Sequence, residues 1–208
     1  MRFILLAEGH TERCLPEFLK RWLDRRLSRS IGIHFVRFNG WPDFWRGVRR
    51  KALYHLSTPS AGDIVGVIGL LDLYGPTIYP DHLHSPNDKH YWAVKKIEAE
   101  VGNPKFRMFF AVHETEAWIL SQPEILPREV RDGLGEKAIC SPESVDFDEH
   151  PSQLLQKLYS SKTNRDYKKR VTGPRLFQKL DPEIAADKCP YLARMLNEML
   201  NMARKAGL

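Results

Sequence analysis

The sequence predicts an α/β fold, in which a mainly parallel sheet is flanked by helices and followed by a helical C-terminal extension. Residues 63–71 form a nearly continuous apolar run that ends at Asp72, which is typical of a strand buried on both faces. Strand-like and helix-like segments alternate along residues 1–123. This alternation indicates β-α-β units, whose strands run parallel.

The first half of the chain supplies three of the expected strands. Strands are predicted at residues 2–7, 31–38 and 63–71, and helices at residues 12–28 and 41–56. The first helix follows from apolar residues at helical spacing, such as Phe18 and Trp22. Pro42 suits the first turn of the second helix. Each helix is long enough to connect two parallel strands.

A long loop separates the central strand from the next elements. After the loop at residues 75–89 we expect a helix at 90–101, a strand at 106–112 and a short helix from Ala117 that Pro123 ends. Residues 124–152 show little periodicity and are predicted to be irregular, and helices are expected at 153–160, 174–180 and 190–204. The predicted division is an α/β domain over residues 1–123 and an extension over 124–208 that packs on it.

Acidic side chains follow three of the four predicted strands, at the point where each strand ends. They are Glu8, Asp72 and the pair Glu114 and Glu116. The carboxyl ends of parallel strands share one edge of the sheet, which is where ligands bind in open α/β sheets. Carboxylates gathered there suit Mg²⁺ or Mn²⁺. The sequence therefore predicts a divalent-cation site at this edge.

The stretch from His113 to Glu116 has two possible conformations. If it is extended, Glu114 and Glu116 point to one face and His113 to the other. If the helix has already begun, His113 and Glu116 share a face instead. The sequence does not decide between them.

A basic segment near the C-terminus suits a phosphodiester backbone, with one tyrosine available to stack a base. The predicted nucleic-acid-binding residues are Lys162, Arg165, Tyr167, Lys168, Arg170 and Arg175. The net charge of +6 permits a polyanionic partner without requiring one.

Other bulk features limit the class of protein. Three cysteines without close spacing support neither a disulfide framework nor a cysteine zinc site. The apolar run at residues 3–7 is too short for a signal peptide, and no apolar stretch approaches the roughly 20 residues that span a bilayer. We therefore expect a cytoplasmic protein that does not insert into a membrane.

Short motifs in a fixed order resemble a known family. The motifs are Glu8-Gly9-x-Thr11-Glu12, Leu71-Asp72-Leu73-Tyr74-Gly75, His113-Glu114-Thr115-Glu116-Ala117-Trp118, and Tyr167-Lys168-Lys169 with Gly173-Pro174 and Cys189-Pro190. The first two resemble the toprim domain of topoisomerases, primases and the overcoming-lysogenization-defect nucleases. The whole set resembles a bacterial toprim-like group, domain of unknown function 4276.

The resemblance implies roles for individual residues. Glu8 matches the toprim glutamate, a general acid/base or metal ligand, and Asp72 matches the first metal-binding aspartate of an Asp-x-Asp. Tyr74 stands where the second aspartate would be, so Glu114 or Glu116 would supply the missing oxygen. Lys169 would stabilise charge on a phosphate.

Further residues are expected around these ligands. His10, Glu12, Tyr74 and His113 are the candidates, and His10 suits a hydrogen bond to a carboxylate or phosphate as well as an ordinary surface position. In the family a lysine often follows the Pro-Ser that corresponds to Pro151-Ser152, whereas this chain has Gln153.

The activity implied is that of a metal-dependent phosphodiesterase, a toprim-type nuclease acting on DNA or RNA, with a possible ATPase partner in bacterial defence. The alternative is a catalytically inactive module that binds nucleic acid or a partner protein. No Gly-x-x-x-x-Gly-Lys or Gly-x-Gly-x-x-Gly pattern follows any predicted strand, which disfavours a nucleotide-binding protein of the usual kinds.

Overall fold

A computed structural model describes residues 1–9, 11–143 and 150–208, apart from the side chains of residues 11, 12, 59 and 60. Its sheet has four strands, which are β1 (Arg2–Glu8), β2 (Gly32–Phe38), β3 (Ile64–Asp72) and β4 (Phe106–Ala111). Their order is β2-β1-β3-β4, and every neighbouring pair is parallel. The predicted α/β class and the central position of the apolar run are confirmed.

The register of the strands aligns their carboxyl ends. Ala7 of β1 lies beside Leu70 of β3, and Asp72 of β3 lies beside Ala111 of β4. Glu8 and Asp72 are therefore the last residues of adjacent strands, and the residues after Ala111 leave the same edge.

Ten α-helices lie in the described part of the chain. They are α1 (Leu15–Asp24), α2 (Trp41–Ser57), α3 (Pro86–Val101), α4 (Glu116–Leu120), α5 (Arg128–Arg131), α6 (Glu136–Cys140), α7 (Pro151–Thr163), α8 (Thr172–Lys179), α9 (Pro182–Lys188) and α10 (Pro190–Lys205). None of them combines the length and apolar content needed to cross a bilayer.

The helices cover both faces of the sheet. On one face, Ile4 and Leu6 of β1 pack with the apolar residues of α2 and α3. On the other face, Phe3 and Leu5 share one buried cluster with residues from α1, α4 and α7–α10. The C-terminal helices thus complete the core on that face of the sheet.

Several helix boundaries differ from the sequence expectation. A 3₁₀ turn at Thr11–Cys14 precedes α1, which ends at Asp24 rather than at residue 28. Helix α3 begins at Pro86, because the Ser85 hydroxyl accepts a hydrogen bond from the Asp88 backbone N–H at 3.1 Å. The loop expected at residues 75–89 is correspondingly shorter.

The segment expected to be irregular contains two short helices, α5 and α6. Helices of one turn are too short to show an apolar period, which is why the pattern did not reveal them. Helix α9 was also not predicted. Its start carries a recognisable signal, since the Asp181 carboxylate accepts a hydrogen bond from the Glu183 N–H at 3.0 Å and Pro182 follows the cap.

Glu143 is a buried carboxyl group that connects α4 to α10. Its side chain is 4% exposed. Its two oxygens accept hydrogen bonds from the Trp118 indole N–H at 3.0 Å and from the Tyr191 backbone N–H at 2.6 Å. Burial nevertheless raises the pKa of Glu143 to about 7, against these hydrogen bonds and the more distant charge of Arg194.

The free energy of unfolding is therefore expected to decrease as the pH rises, because Glu143 ionises. Because its folded pKa lies above the ordinary value of 4.5, its contribution is fully present below about pH 4.5 and is lost as the pH rises through about 7. The shift corresponds to about 3 kcal/mol. In urea unfolding measured from pH 4.5 to pH 8, the free energy of unfolding of wild type should decrease by up to that amount relative to that of Glu143→Gln. Parallel pH curves for the two proteins would contradict the expectation.

Candidate functional site

The four acids predicted from the sequence lie at the carboxyl edge of the sheet. Glu8 ends β1 and Asp72 ends β3, while Glu114 and Glu116 follow β4 at the start of α4. One lysine from the C-terminal region, Lys169, reaches this edge from the loop between α7 and α8. Lys169 interacts with each of these acids and therefore shows that they lie near one another.

Lys169 forms ion pairs with Glu114 and Glu116, the two acids that follow β4. Its Nζ lies 3.0 Å from Glu114 Oε1 and 3.2 Å from Glu116 Oε2. Desolvation lowers the pKa of Lys169, but the negative charges of Glu116, Asp72 and Glu114 outweigh it and hold the pKa above its ordinary value. The same ammonium opposes the effect of burial on the pKa of Glu8. Lys169 is thus within electrostatic reach of all four acids.

The backbone from His113 to Glu116, which forms the turn after β4, is neither fully extended nor already helical. His113 has a left-handed backbone with φ of 69°, and α4 begins only at Glu116. The Ala117 N–H donates to the Glu114 carbonyl at 3.0 Å, so a tight turn separates the strand from the helix. This turn directs Glu114 and Glu116 to the same lysine.

Glu116 is fully buried and depends on its partners. Desolvation raises its pKa, while Lys169 opposes that effect. The Tyr167 hydroxyl donates to Glu116 Oε1 at 3.4 Å, and the tyrosine is only 5% exposed. The interpretation of Tyr167 as a base-stacking residue is therefore corrected. Its ring is enclosed and supports Glu116 instead.

Glu114 uses both of its oxygens. Oε1 accepts from Lys169, and Oε2 accepts from the Ser152 backbone N–H at 2.9 Å in the first turn of α7. Burial alone would raise the pKa of Glu114, but Lys169 and Ser152 together hold it below its ordinary value. Ser152 was not among the predicted site residues. The helix start at Pro151-Ser152 was the available signal.

Glu8 is the last residue of β1, and one of its carboxylate oxygens is buried. Its Oε2 is buried and has no hydrogen-bond partner among the described residues, and burial raises the pKa of Glu8 despite the opposing charge of Lys169. Gly9 turns the chain away directly after it, with φ of 86°. A Cβ atom built on Gly75 would lie 4.0 Å from Glu8 Oε1, so the loop after β3 passes close to this carboxylate.

The contacts of the four acids bear on which of them suit a divalent cation. No group of three or more His, Cys, Asp or Glu side chains in the described residues is arranged to hold a metal ion. Mg²⁺ needs only one or two protein carboxylates, because it keeps waters and binds substrate phosphate. Glu8 has a buried oxygen without a hydrogen-bond partner among the described residues, and Asp72 ends the adjacent strand, so these two carboxylates fit that requirement. Lys169 forms ion pairs with Glu114 and Glu116 and also interacts with the charge of Asp72.

Two aromatic rings border the acids. Tyr74 and His113 stack with ring centroids 5.0 Å apart and an interplanar angle of 4°. Of the other residues expected around the ligands, His10 lies outside the described residues, and the side chain of Glu12 is likewise not described. The expected nucleic-acid-binding residues other than Tyr167 are exposed, namely Lys162, Arg165, Lys168, Arg170 and Arg175.

Comparison with known proteins assigns the family. The model of a family described as "Domain of unknown function (DUF4276)" matches residues 7–200, so the chain belongs to this family. No curated protein and no solved structure matches the chain. The family assignment accounts for nearly the whole chain, and its description carries no activity.

Proposed function

We propose that this family member is a metal-dependent phosphodiesterase, a toprim-type nuclease that acts on DNA or RNA. One observation carries the proposal. A lysine lies within electrostatic reach of four carboxylates at the carboxyl edge of a parallel sheet, and one of them, Glu8, has a buried oxygen that finds no hydrogen-bond partner in the part of the chain that the structure describes. An unpaired buried carboxylate oxygen is costly unless a cation or substrate uses it.

The residues at this edge divide into two groups by role. Glu8 and Asp72 would hold Mg²⁺ or Mn²⁺, which when bound lowers the pKa of a water and neutralises phosphate charge. Lys169 donates hydrogen bonds to a phosphate oxygen, and Glu114 and Glu116 keep its ammonium positioned and charged. The alternative role for Glu8, with the cation held by Asp72, is to accept a proton, since burial favours its protonated form.

The wider surroundings suit a polyanionic substrate. The exposed basic residues between α7 and α8 lie in the same part of the chain as Lys169 and would contact the phosphodiester backbone. The proposed setting remains that of a cytoplasmic protein in bacterial defence, with an ATPase as a possible partner.

A second candidate function is a catalytically inactive module that binds nucleic acid or a partner protein. The observation that favours it is the pairing of Glu114 and Glu116 with Lys169, which leaves fewer open oxygens for a cation. Tyr74 in the place of an aspartate and Gln153 in the place of a lysine point the same way.

Cleavage of labelled single- and double-stranded DNA and RNA distinguishes the two functions. Wild type should cleave with Mn²⁺ or Mg²⁺ and not with EDTA, and Asp72→Asn should lose about 100-fold or more in rate. Asp63→Asn is the matched control, because Asp63 is exposed at the opposite end of the β3 region. Folded wild-type protein that cleaves none of these substrates would contradict the nuclease.

Thermal unfolding tests cation binding without requiring catalysis. Millimolar Mn²⁺ should raise the Tm of wild type and of Asp63→Asn, because a ligand that binds only the folded state stabilises it by mass action. The increase should be lost in Asp72→Asn. An equal Mn²⁺ effect on all three proteins would place the cation elsewhere.

A further inference from the structure

The stacked rings of Tyr74 and His113 follow the ends of two neighbouring strands, β3 and β4. Tyr74 lies two residues beyond Asp72 at the end of β3, and His113 immediately precedes Glu114 after β4. Their centroids are 5.0 Å apart and their planes differ by 4°. The Tyr74–His113 stack therefore spans the same pair of strand ends that carries Asp72 and Glu114.

The stack has an inner and an outer ring. His113 is 7% exposed, whereas Tyr74 is 36% exposed. His113 is held with a φ of 69°, a conformation that is uncommon for a residue other than glycine and that the surrounding structure must impose. The inner ring is thus fixed by the fold, and it supports an outer ring that solvent can reach.

The outer ring lies close to the proposed reacting groups. Gly75, the residue after Tyr74, lies beside Glu8, since a Cβ atom built on it would be 4.0 Å from Glu8 Oε1, an ordinary van der Waals distance. Tyr79 holds the same loop, since its hydroxyl donates to the Leu73 carbonyl at 2.6 Å. A planar group placed against Tyr74 would therefore be next to the acids at the carboxyl edge.

We propose that Tyr74 is the base-stacking residue of this site, so that the substrate is a single-stranded nucleic acid whose base beside the bound phosphate stacks on the tyrosine. This inference rests on the proposed phosphodiesterase function. Every nucleobase has a π-face, so stacking on an aromatic ring tolerates any sequence. A base inside a duplex is already stacked on both faces and would first have to be extruded. The proposal also supplies the stacking residue that Tyr167, being buried, cannot provide.

Binding in EDTA tests the proposal separately from cleavage. Fluorescence anisotropy would compare a labelled single-stranded oligonucleotide with the matching duplex. Tyr74→Leu should weaken single-strand binding by about 10-fold and leave duplex binding unchanged, whereas Tyr74→Phe, which keeps the ring, should bind like wild type. The control is Tyr54→Leu on α2, because Tyr54 is 64% exposed and also aromatic.

A change in the oligonucleotide gives a second test that alters no protein residue. Replacing the bases of the single strand by abasic sites keeps the phosphates and should weaken binding to wild type by about 10-fold. An oligonucleotide should compete with the labelled strand far better than a mononucleotide does. If the mononucleotide competes equally well, the ligand of the Tyr74–His113 stack is a free nucleotide, and the single-strand proposal is overturned.

The outcomes separate this inference from the proposed function. The stacking proposal fails if wild-type protein does not bind the single strand. It also fails if Tyr74→Leu binds the single strand as tightly as wild type does, or if wild type binds the abasic strand as tightly as the strand with bases. If cleavage still depends on Asp72 in that case, the nuclease proposal survives it. Conversely, Tyr74-dependent binding of the single strand without any metal-dependent cleavage would support the stacking site and contradict the nuclease.

Discussion

Replacing Lys169 by methionine is expected to lower the free energy of unfolding by about 2–3 kcal/mol at pH 8. Removing one partner of a buried ion pair usually costs about 3–5 kcal/mol, because the other charge stays buried without a partner. The expected loss is smaller here because the Lys169 side chain is 37% exposed. Glu116, which is 0% exposed, would nevertheless lose its cation.

The loss should depend on pH in a definite direction. Burial already raises the pKa of Glu116, and removal of Lys169 would raise it further. The stability linked to protonation of Glu116 is present at low pH and is lost as the pH rises through its folded pKa. Urea unfolding of Lys169→Met should therefore show a larger deficit at pH 8 than at pH 6.

Two comparisons isolate the ion pair from general effects of the substitution. Lys168→Met removes an exposed lysine next to it in sequence and should be nearly neutral. The double variant Lys169→Met/Glu116→Gln should recover part of the loss, since it no longer buries an unpaired charge. Mn²⁺ should stabilise Lys169→Met more than wild type, because a cation can then replace the ammonium. Equal stabilities for Lys169→Met and Lys168→Met would show that the pair contributes little.

The strand ends were predictable because they depend on local pattern. An apolar run followed by an acid marks the end of a buried strand, and this rule placed Glu8 and Asp72 correctly at the carboxyl edge. The parallel direction of the strands followed from the alternation of strands and helices. Register, which aligns Asp72 with Ala111, then brings the ends of neighbouring strands to the same level.

The contacts that support the acids were not predictable from local pattern, because they come from residues that are distant in sequence. The family resemblance indicated Lys169 as a site residue but did not indicate its ion pairs. Tyr167 donates to Glu116 across 51 residues, and Lys169 pairs with Glu114 across 55 residues. The periodicity of apolar residues shows which face of a helix or strand is buried. It does not show which side chains from other elements pack against that face. The basic character of the segment containing Tyr167 suggested an exposed aromatic ring, whereas the tertiary packing encloses it.

Replacing Glu8 by glutamine should reduce metal-dependent cleavage by about 1,000-fold. The substitution removes the charge that would hold a cation and the group that would accept a proton. Because burial raises the pKa of Glu8, wild-type cleavage and the apparent affinity for Mn²⁺ should both increase with pH as this carboxyl group ionises. Rates of cleavage by wild type and Glu8→Gln, measured across pH and Mn²⁺ concentration, test both expectations. Glu129→Gln, an exposed glutamate on α5, is the control.

The same substitution should leave the fold at least as stable as wild type. A carboxyl group with a raised folded pKa contributes stability below its unfolded pKa and loses that contribution as the pH rises through the folded value. At pH 8 the ionised Glu8, whose buried oxygen has no hydrogen-bond partner among the residues described, therefore opposes folding, and a neutral amide should raise the Tm without metal. A residue retained only for packing would lower both stability and activity when changed. Opposite signs for the two effects would identify Glu8 as kept for its chemistry, and a lower Tm with unchanged cleavage would remove it from the site.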